Sequence, residues 1–168
     1  MTMRNFSDLA AREIFLNPGD TGCGHKHEVF GTLLGSCVAI TLWHPARKIG
    51  SICHFVLPTV PALRDADGRY GTTAFEHQKN DLIRLGVNVR QCVAKIFGGG
   101  KMFSHSGMQD VGLRNINMAR KLVTDEGLAI AAENVGGEGY RRLYFDVETG
   151  EVWIKFDWLD SDEEDKIL

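Results

Sequence analysis

The sequence lacks the features that announce several large functional classes. It has no run of lysine or arginine, and its 19 basic residues against 22 acidic ones leave a formal charge of −3. A chain this near to neutral has no electrostatic footprint for nucleic acid. No apolar run approaches the roughly 18 residues that a membrane span requires. Residues 1–18 are interrupted by Arg4, Asp8, Arg12 and Glu13, so they offer no continuous apolar core for a signal peptide. Cysteine is sparse: Cys23, Cys37, Cys53 and Cys92. Four thiols without a leader read as reduced and cytoplasmic rather than as a disulfide framework. There is no internal repeat.

Nucleotide signatures are incomplete as well. Gly98-Gly99-Gly100-Lys101 has the look of a phosphate loop, but Lys95 stands where the first glycine is needed and Met102 where Ser or Thr is needed. Gly137-Glu138-Gly139 lacks the third glycine of a dinucleotide fingerprint. Cys23, His25 and His27 alternate like metal ligands, yet C-x-H-x-H is not a common zinc spacing and no fourth ligand is evident. No cofactor is expected.

What is present is an ordinary globular composition, 43% hydrophobic and 24% charged. Charge is concentrated at the C-terminal end. Residues 157–168 hold six acids and one base, a net −5, which leaves +2 for residues 1–156. Like charges so clustered predict a solvated, frayed tail. Residues 1–28 read as an extension of weak helix and flexible loop, 29–156 as the folded domain and 157–168 as the tail.

Within the domain, Val29 to Trp43 reads as one largely buried strand interrupted at Gly35-Ser36. His44-Pro45-Ala46-Arg47 has the composition of a four-residue turn, and Lys48 to Leu57 returns as a second strand. Thr72 to Leu85 predicts a helix with Phe75, Leu82 and Ile83 inward. Val87 to Phe97 predicts a strand. Asp110 to Glu126 predicts a helix with Leu113, Ile116, Ala119, Leu122 and Val123 on one face and Gly127 as its cap. Leu128 to Val135 and a hairpin of Arg142–Val147 with Glu151–Phe156 complete the reading. Strands with two inserted helices suggest a layered α/β sandwich of mixed, mostly antiparallel sheet.

The chemically informative segment is Gly31-Thr-Leu-Leu-Gly-Ser-Cys-Val-Ala-Ile40. Gly35 and Ser36 let the backbone turn tightly and free N–H groups to serve as an oxyanion hole beside the Cys37 sulfur. A cysteine in an apolar strand is by itself more often a small core residue than a nucleophile. Register adds to the functional reading. With the turn at 44–47, Trp43 pairs with Lys48 and Cys37 lies directly opposite His54, close enough for the imidazole to take the thiol proton. Cys53 then points to the other face, and it and Cys92 read as core. His44 reads as a turn residue, His77 and His105 as exposed.

Several segments in order resemble the chemoreceptor glutamine deamidases of chemotaxis, the CheD family. They are Thr-Leu-Leu-Gly-Ser-Cys-Val-Ala-Ile (32–40), His-Phe-Val-Leu-Pro (54–58), Arg-Tyr-Gly (69–71), Lys-Ile-Phe-Gly-Gly-Gly-Lys-Met-Phe (95–103), Gly-Leu-Arg-Asn (112–115), Asn-Val-Gly-Gly (134–137) and Arg-Arg-Leu-Tyr-Phe-Asp-Val-Glu-Thr-Gly (141–150). The resemblance implies a fold like that of bacterial toxin deamidase domains, and conversion of receptor glutamines to glutamate through a cysteine thioester. It implies Cys37 and His54 as catalytic residues and Thr32 as the third. Methyl-accepting chemotaxis receptors would be the substrate, with a CheC-type phosphatase as a further partner and a docking role as the alternative to catalysis. For Thr32 and Cys37 to serve one site, the chain must turn at Gly35-Ser36, because a regular strand would send them to opposite faces.

Overall fold

The computed structural model describes residues 12–102, 110–159 and 163–168. Ten strands and two helices follow in order: β1 (Arg12–Phe15), β2 (Thr21–His25), β3 (Glu28–Leu34), β4 (Val38–His44), β5 (Ile49–Phe55), α1 (Gly71–Arg84), β6 (Val93–Gly98), α2 (Val111–Asp125), β7 (Ile130–Val135), β8 (Gly139–Asp146), β9 (Val152–Trp158) and β10 (Glu163–Ile167). They build two five-stranded sheets, β1-β3-β8-β9-β10 and β2-β5-β4-β6-β7. Pairing is antiparallel except for β1 with β3 and β6 with β7. The expected mixed, mostly antiparallel α/β architecture with two helices is therefore what the chain adopts.

Three layers follow from side-chain alternation. In β4, Val38, Ile40 and Leu42 join Ala74, Phe75 and Leu82 of α1 and Ile116, Ala119 and Val123 of α2 in one core. The intervening Ala39 faces the other way, where Ile52, Phe97, Phe30, Leu34, Leu143 and Phe145 fill the space between the sheets. Strands β4 and β5 are covered on both faces, which explains their nearly unbroken apolar sequence. Each fully buried Leu, Ile or Phe contributes roughly 1.5–3 kcal/mol. The helices run as anticipated, with Asp110 capping α2 by accepting from the Leu113 N–H at 3.0 Å. Gly127 follows α2 at φ +83°.

The structure corrects the sequence reading in several places. Val29 to Trp43 is not one strand: β3 and β4 belong to different sheets, and Gly35-Ser36-Cys37 is the corner between them. The hairpin loop is 45–48, one residue later than expected. Lys48 takes a left-handed φ of +49°, which suits a loop rather than a strand, and His44 pairs with Ile49. The register slips by two residues, so His54 lies opposite Ala39 instead of Cys37. A two-residue slip preserves sheet faces.

The strand expected from Val87 starts only at Val93, after a 3₁₀ turn at Val89–Gln91. Ile83 and Leu113 are exposed, since the inward faces of their helices run through Gln78 and Leu82, and through Asn115 and Ile116. The extension supplies β1 and β2, whose backbones pair with β3 and β5; the part of the weak helix at residues 1–11 lies outside the described residues. The acidic segment is no frayed end over its described part: β10 pairs with β9, and Leu168 exchanges backbone hydrogen bonds with Val152 at 2.6 and 2.7 Å. Backbone pairing there outweighs the repulsion that its composition suggested. Among the described residues no helix is long and apolar enough to cross a membrane.

Candidate active site

The site lies at one end of the layer between the sheets. Thr32 enters it from β3 and His54 from β5, so each sheet contributes one side chain. Both are buried, at 3% and 1% exposure. The Thr32 hydroxyl donates to the Leu16 carbonyl at 2.9 Å, and its oxygen lies 2.7 Å from His54 Nδ1. A hydroxyl has one proton and a carbonyl can only accept. Both bonds are made together only when Nδ1 carries the proton and donates to Thr32, which leaves Nε2 with its lone pair. That Nε2 is buried and has no hydrogen-bond partner among the described residues.

Backbone bonds fix the imidazole further. The Gly19 N–H donates to the His54 carbonyl at 2.8 Å and the His54 N–H to the Asp20 carbonyl at 3.2 Å. Burial pushes the His54 pKa down to about 4, opposed by the carboxylate of Asp20, so the ring is neutral at pH 7.

Cys37 stands at the corner, half-buried, with its side chain against the inter-sheet core. The register makes it the diagonal neighbour of His54 rather than the opposed one. In a regular ladder such neighbours lie roughly 7–8 Å apart. Thiol and imidazole are not hydrogen-bonded in this structure. Burial raises the Cys37 pKa above the usual thiol value, and its own backbone N–H works in the opposite direction. The resting pair is a thiol beside a neutral imidazole.

The corner itself is pinned from behind. The Gly100 N–H donates to the Gly35 carbonyl at 2.9 Å and the Gly99 N–H to the Cys37 carbonyl at 2.8 Å. Gly98 has φ +107°, and a Cβ there would run into the Cys37 carbonyl oxygen, so the glycine run serves close backbone approach. The Ser36 carbonyl accepts from Asn115 Nδ2 of α2 at 3.0 Å. Arg141 ties the glycine run to the turn after β7: it donates to the Gly98 carbonyl at 3.4 Å and to the Gly136 carbonyl and Asn134 Oδ1, each at 2.7 Å, and stacks 4.6 Å over Phe156.

Thus Thr32 and His54 meet, Gly35, Ser36 and Cys37 form the adjoining corner, and the other singled-out groups lie elsewhere. Cys53 and Cys92 are buried, with pKa values pushed up to about 12 and about 11 by desolvation. Cys23 sits half-buried on the edge strand β2. Among the described residues no three His, Cys, Asp or Glu side chains are placed to hold a metal. His44 ends β4 buried, bonded to Gln91, and its Nδ1 accepts from the Arg47 N–H of the adjoining turn at 3.2 Å; His77 is exposed, and His105 is outside the described residues. Asn115 and Arg141 were not singled out by sequence. The signal for Asn115 was its place four residues before Ala119, a polar residue on an apolar helix face.

Comparison with known proteins settles the relationship. The model of the family described as CheD chemotactic sensory transduction matches residues 56–156, most of the chain. The chain belongs to the CheD family. It is 43% identical over 148 residues to a probable chemoreceptor glutamine deamidase CheD 3 of Dechloromonas aromatica, covering 86% of this chain and 87% of that one. A probable CheD 2 of Albidiferax ferrireducens is 43% identical over 147 residues, covering 84% and 85% of the two chains. A probable CheD of Pseudomonas savastanoi is 37% identical over 162 residues, covering 94% and 92%. The CheD match begins downstream of Cys37 and His54.

Proposed function

We propose that this CheD protein deamidates glutamines of methyl-accepting chemotaxis receptors, with Cys37 as nucleophile, His54 as its base and Thr32 as the group that fixes the base. The observation that carries this reading is the imidazole whose Nδ1 is engaged by Thr32 while its buried Nε2 has no partner among the described residues, on the same side of the sheet as the Cys37 thiol. The names of the relatives supply the substrate.

Because the resting pair is neutral, proton transfer and attack are coupled. Nε2 takes the thiol proton as sulfur bonds to the carboxamide carbon of glutamine. Negative charge moves to the amide oxygen, where backbone N–H groups around Ser36 and Cys37, on the turn that Gly35 opens, stabilise it. The C–N bond breaks, His54 returns its proton to nitrogen, and ammonia leaves a thioester on Cys37. Water, deprotonated by Nε2, attacks that thioester; its proton is passed back to sulfur, and glutamate and free thiol result. Atoms balance with water alone, without a cofactor. Thr32 keeps Nε2 aimed at sulfur and stabilises the imidazolium formed in each half-reaction. The cytoplasm is the expected setting, since a reduced thiol persists there.

The test is incubation of purified receptor with this protein, following ammonia release and the masses of receptor peptides. Conversion of glutamine to glutamate in step with ammonia is the expected result. Receptor that binds the protein yet keeps all its glutamines would overturn the reading in favour of a docking role, toward receptors or a CheC-type phosphatase.

A further inference from the structure

Asn115 touches both halves of this site from behind. It lies on α2, fully buried. Its Nδ2 donates to the Ser36 carbonyl at 3.0 Å and to the Val56 carbonyl at 2.8 Å. Ser36 immediately precedes the nucleophile, and Val56 ends the stretch that carries His54. Its Oδ1 is buried with no partner among the described residues, so both of these bonds are donations from the amide nitrogen. A buried unpartnered acceptor costs about 1–3 kcal/mol, and a residue kept at that cost is placed for what its donors do.

Peptide planarity shows what that is. The carbonyl of Ser36 and the N–H of Cys37 belong to one trans plane and point in opposite directions. Holding the carbonyl toward α2 therefore turns the Cys37 N–H away from α2. That N–H belongs to the residue that carries the proposed nucleophile, and it is the donor on the side where the proposed oxyanion would form. The flanking carbonyls of Gly35 and Cys37 are held by the backbone of Gly100 and Gly99, so among the described residues Asn115 supplies the side-chain clasp of the corner.

We infer that Asn115 is a positioning residue, setting the Cys37 peptide plane and tying the nucleophile's corner to the strand of its base. This rests on the reading of Cys37 and His54 given above. Asn115→Leu keeps the size of the side chain and removes both donors. Asn115→Ser keeps a donor that can serve one carbonyl. The expected result for folded N115L is a kcat lowered about 10- to 100-fold with KM for receptor within about threefold of wild type. N115S should fall between N115L and wild type. Iodoacetamide labelling of Cys37 adds a readout independent of turnover. Its rate against pH should have a higher midpoint in N115L, because a misdirected N–H no longer favours the thiolate. A merely structural residue would leave that midpoint unmoved.

A folded N115L with wild-type kcat and midpoint overturns the inference. So does a loss carried by KM alone, which would place Asn115 in receptor binding, or failure of both variants to fold, which would make it a folding residue. If wild type itself leaves receptor glutamines unchanged, the reading of the function fails, while the labelling midpoint still decides whether Asn115 orients the thiol.

Discussion

Cys37 and His54, the proposed nucleophile and base, are held in opposite ways. His54 sits inside β5, fixed by the ladder with β4, by backbone bonds to Gly19 and Asp20, and by Thr32 across the sheets. Cys37 sits outside any strand, on a corner held by hydrogen bonds to its carbonyls from the glycine run and from α2. Regular structure thus supplies a dry, rigidly held imidazole of depressed pKa. Irregular structure supplies a half-buried thiol outside the ladder, on a turn. A strand interior uses its N–H groups in the ladder, so a nucleophile that needs a free one has to stand at a corner.

That contrast is open to attack from the base's side first. Replacing His54 with Gln should lower kcat by roughly 10²- to 10⁴-fold, the range for loss of a general base, measured by ammonia release from receptor. A residual rate within tenfold of wild type would mean that some other group takes the thiol proton.

Acid should expose the same residue thermodynamically. Below pH 6.5 the unfolded chain protonates this imidazole, whereas the folded one does so only near pH 4. Stability therefore falls as pH drops from 6.5 to 4, by about 3 kcal/mol from this group. Urea unfolding across that range should show the loss in wild type and a shallower one in H54Q. Equal slopes would contradict a dry, neutral base.

Thr32→Val tests the link between the sheets. It strands the His54 Nδ1–H and the Leu16 carbonyl, and should cost about 1–3 kcal/mol of stability together with about 10-fold in kcat, whereas Thr32→Ser should restore most of both. A Val variant as active as wild type would show that the ladder alone orients the ring. The smallest effect concerns the corner. Iodoacetamide should label Cys37 at a rate that climbs with pH through its raised pKa, leaving buried Cys53 untouched. A rate flat from pH 6 to 9 would instead indicate a preformed thiolate.

Much of this was legible in the sequence. Side-chain periodicity located both helices, and the apolar runs of β4 and β5 announced strands covered on both faces. Gly35-Ser36 marked the turn that separates β3 from β4. The direct opposition of Cys37 and His54 did not hold, but the slip was by an even number and so kept them on one face. The slip arose at Lys48, whose left-handed conformation nothing in a non-glycine residue foretells. The roles of β1, β2 and β10 were hidden because edge strands take their stability from backbone pairing, which composition does not report. Arg141 and Asn115 act through long-range bonds to carbonyls, and no local pattern encodes those partners.

The account stands most directly on Cys37. Receptor incubated with wild type and with Cys37→Ala, at matched concentrations and with folding checked by circular dichroism, should gain glutamate at its glutamine positions only in the first case, as read by peptide mass. Equal conversion by the alanine variant would contradict it.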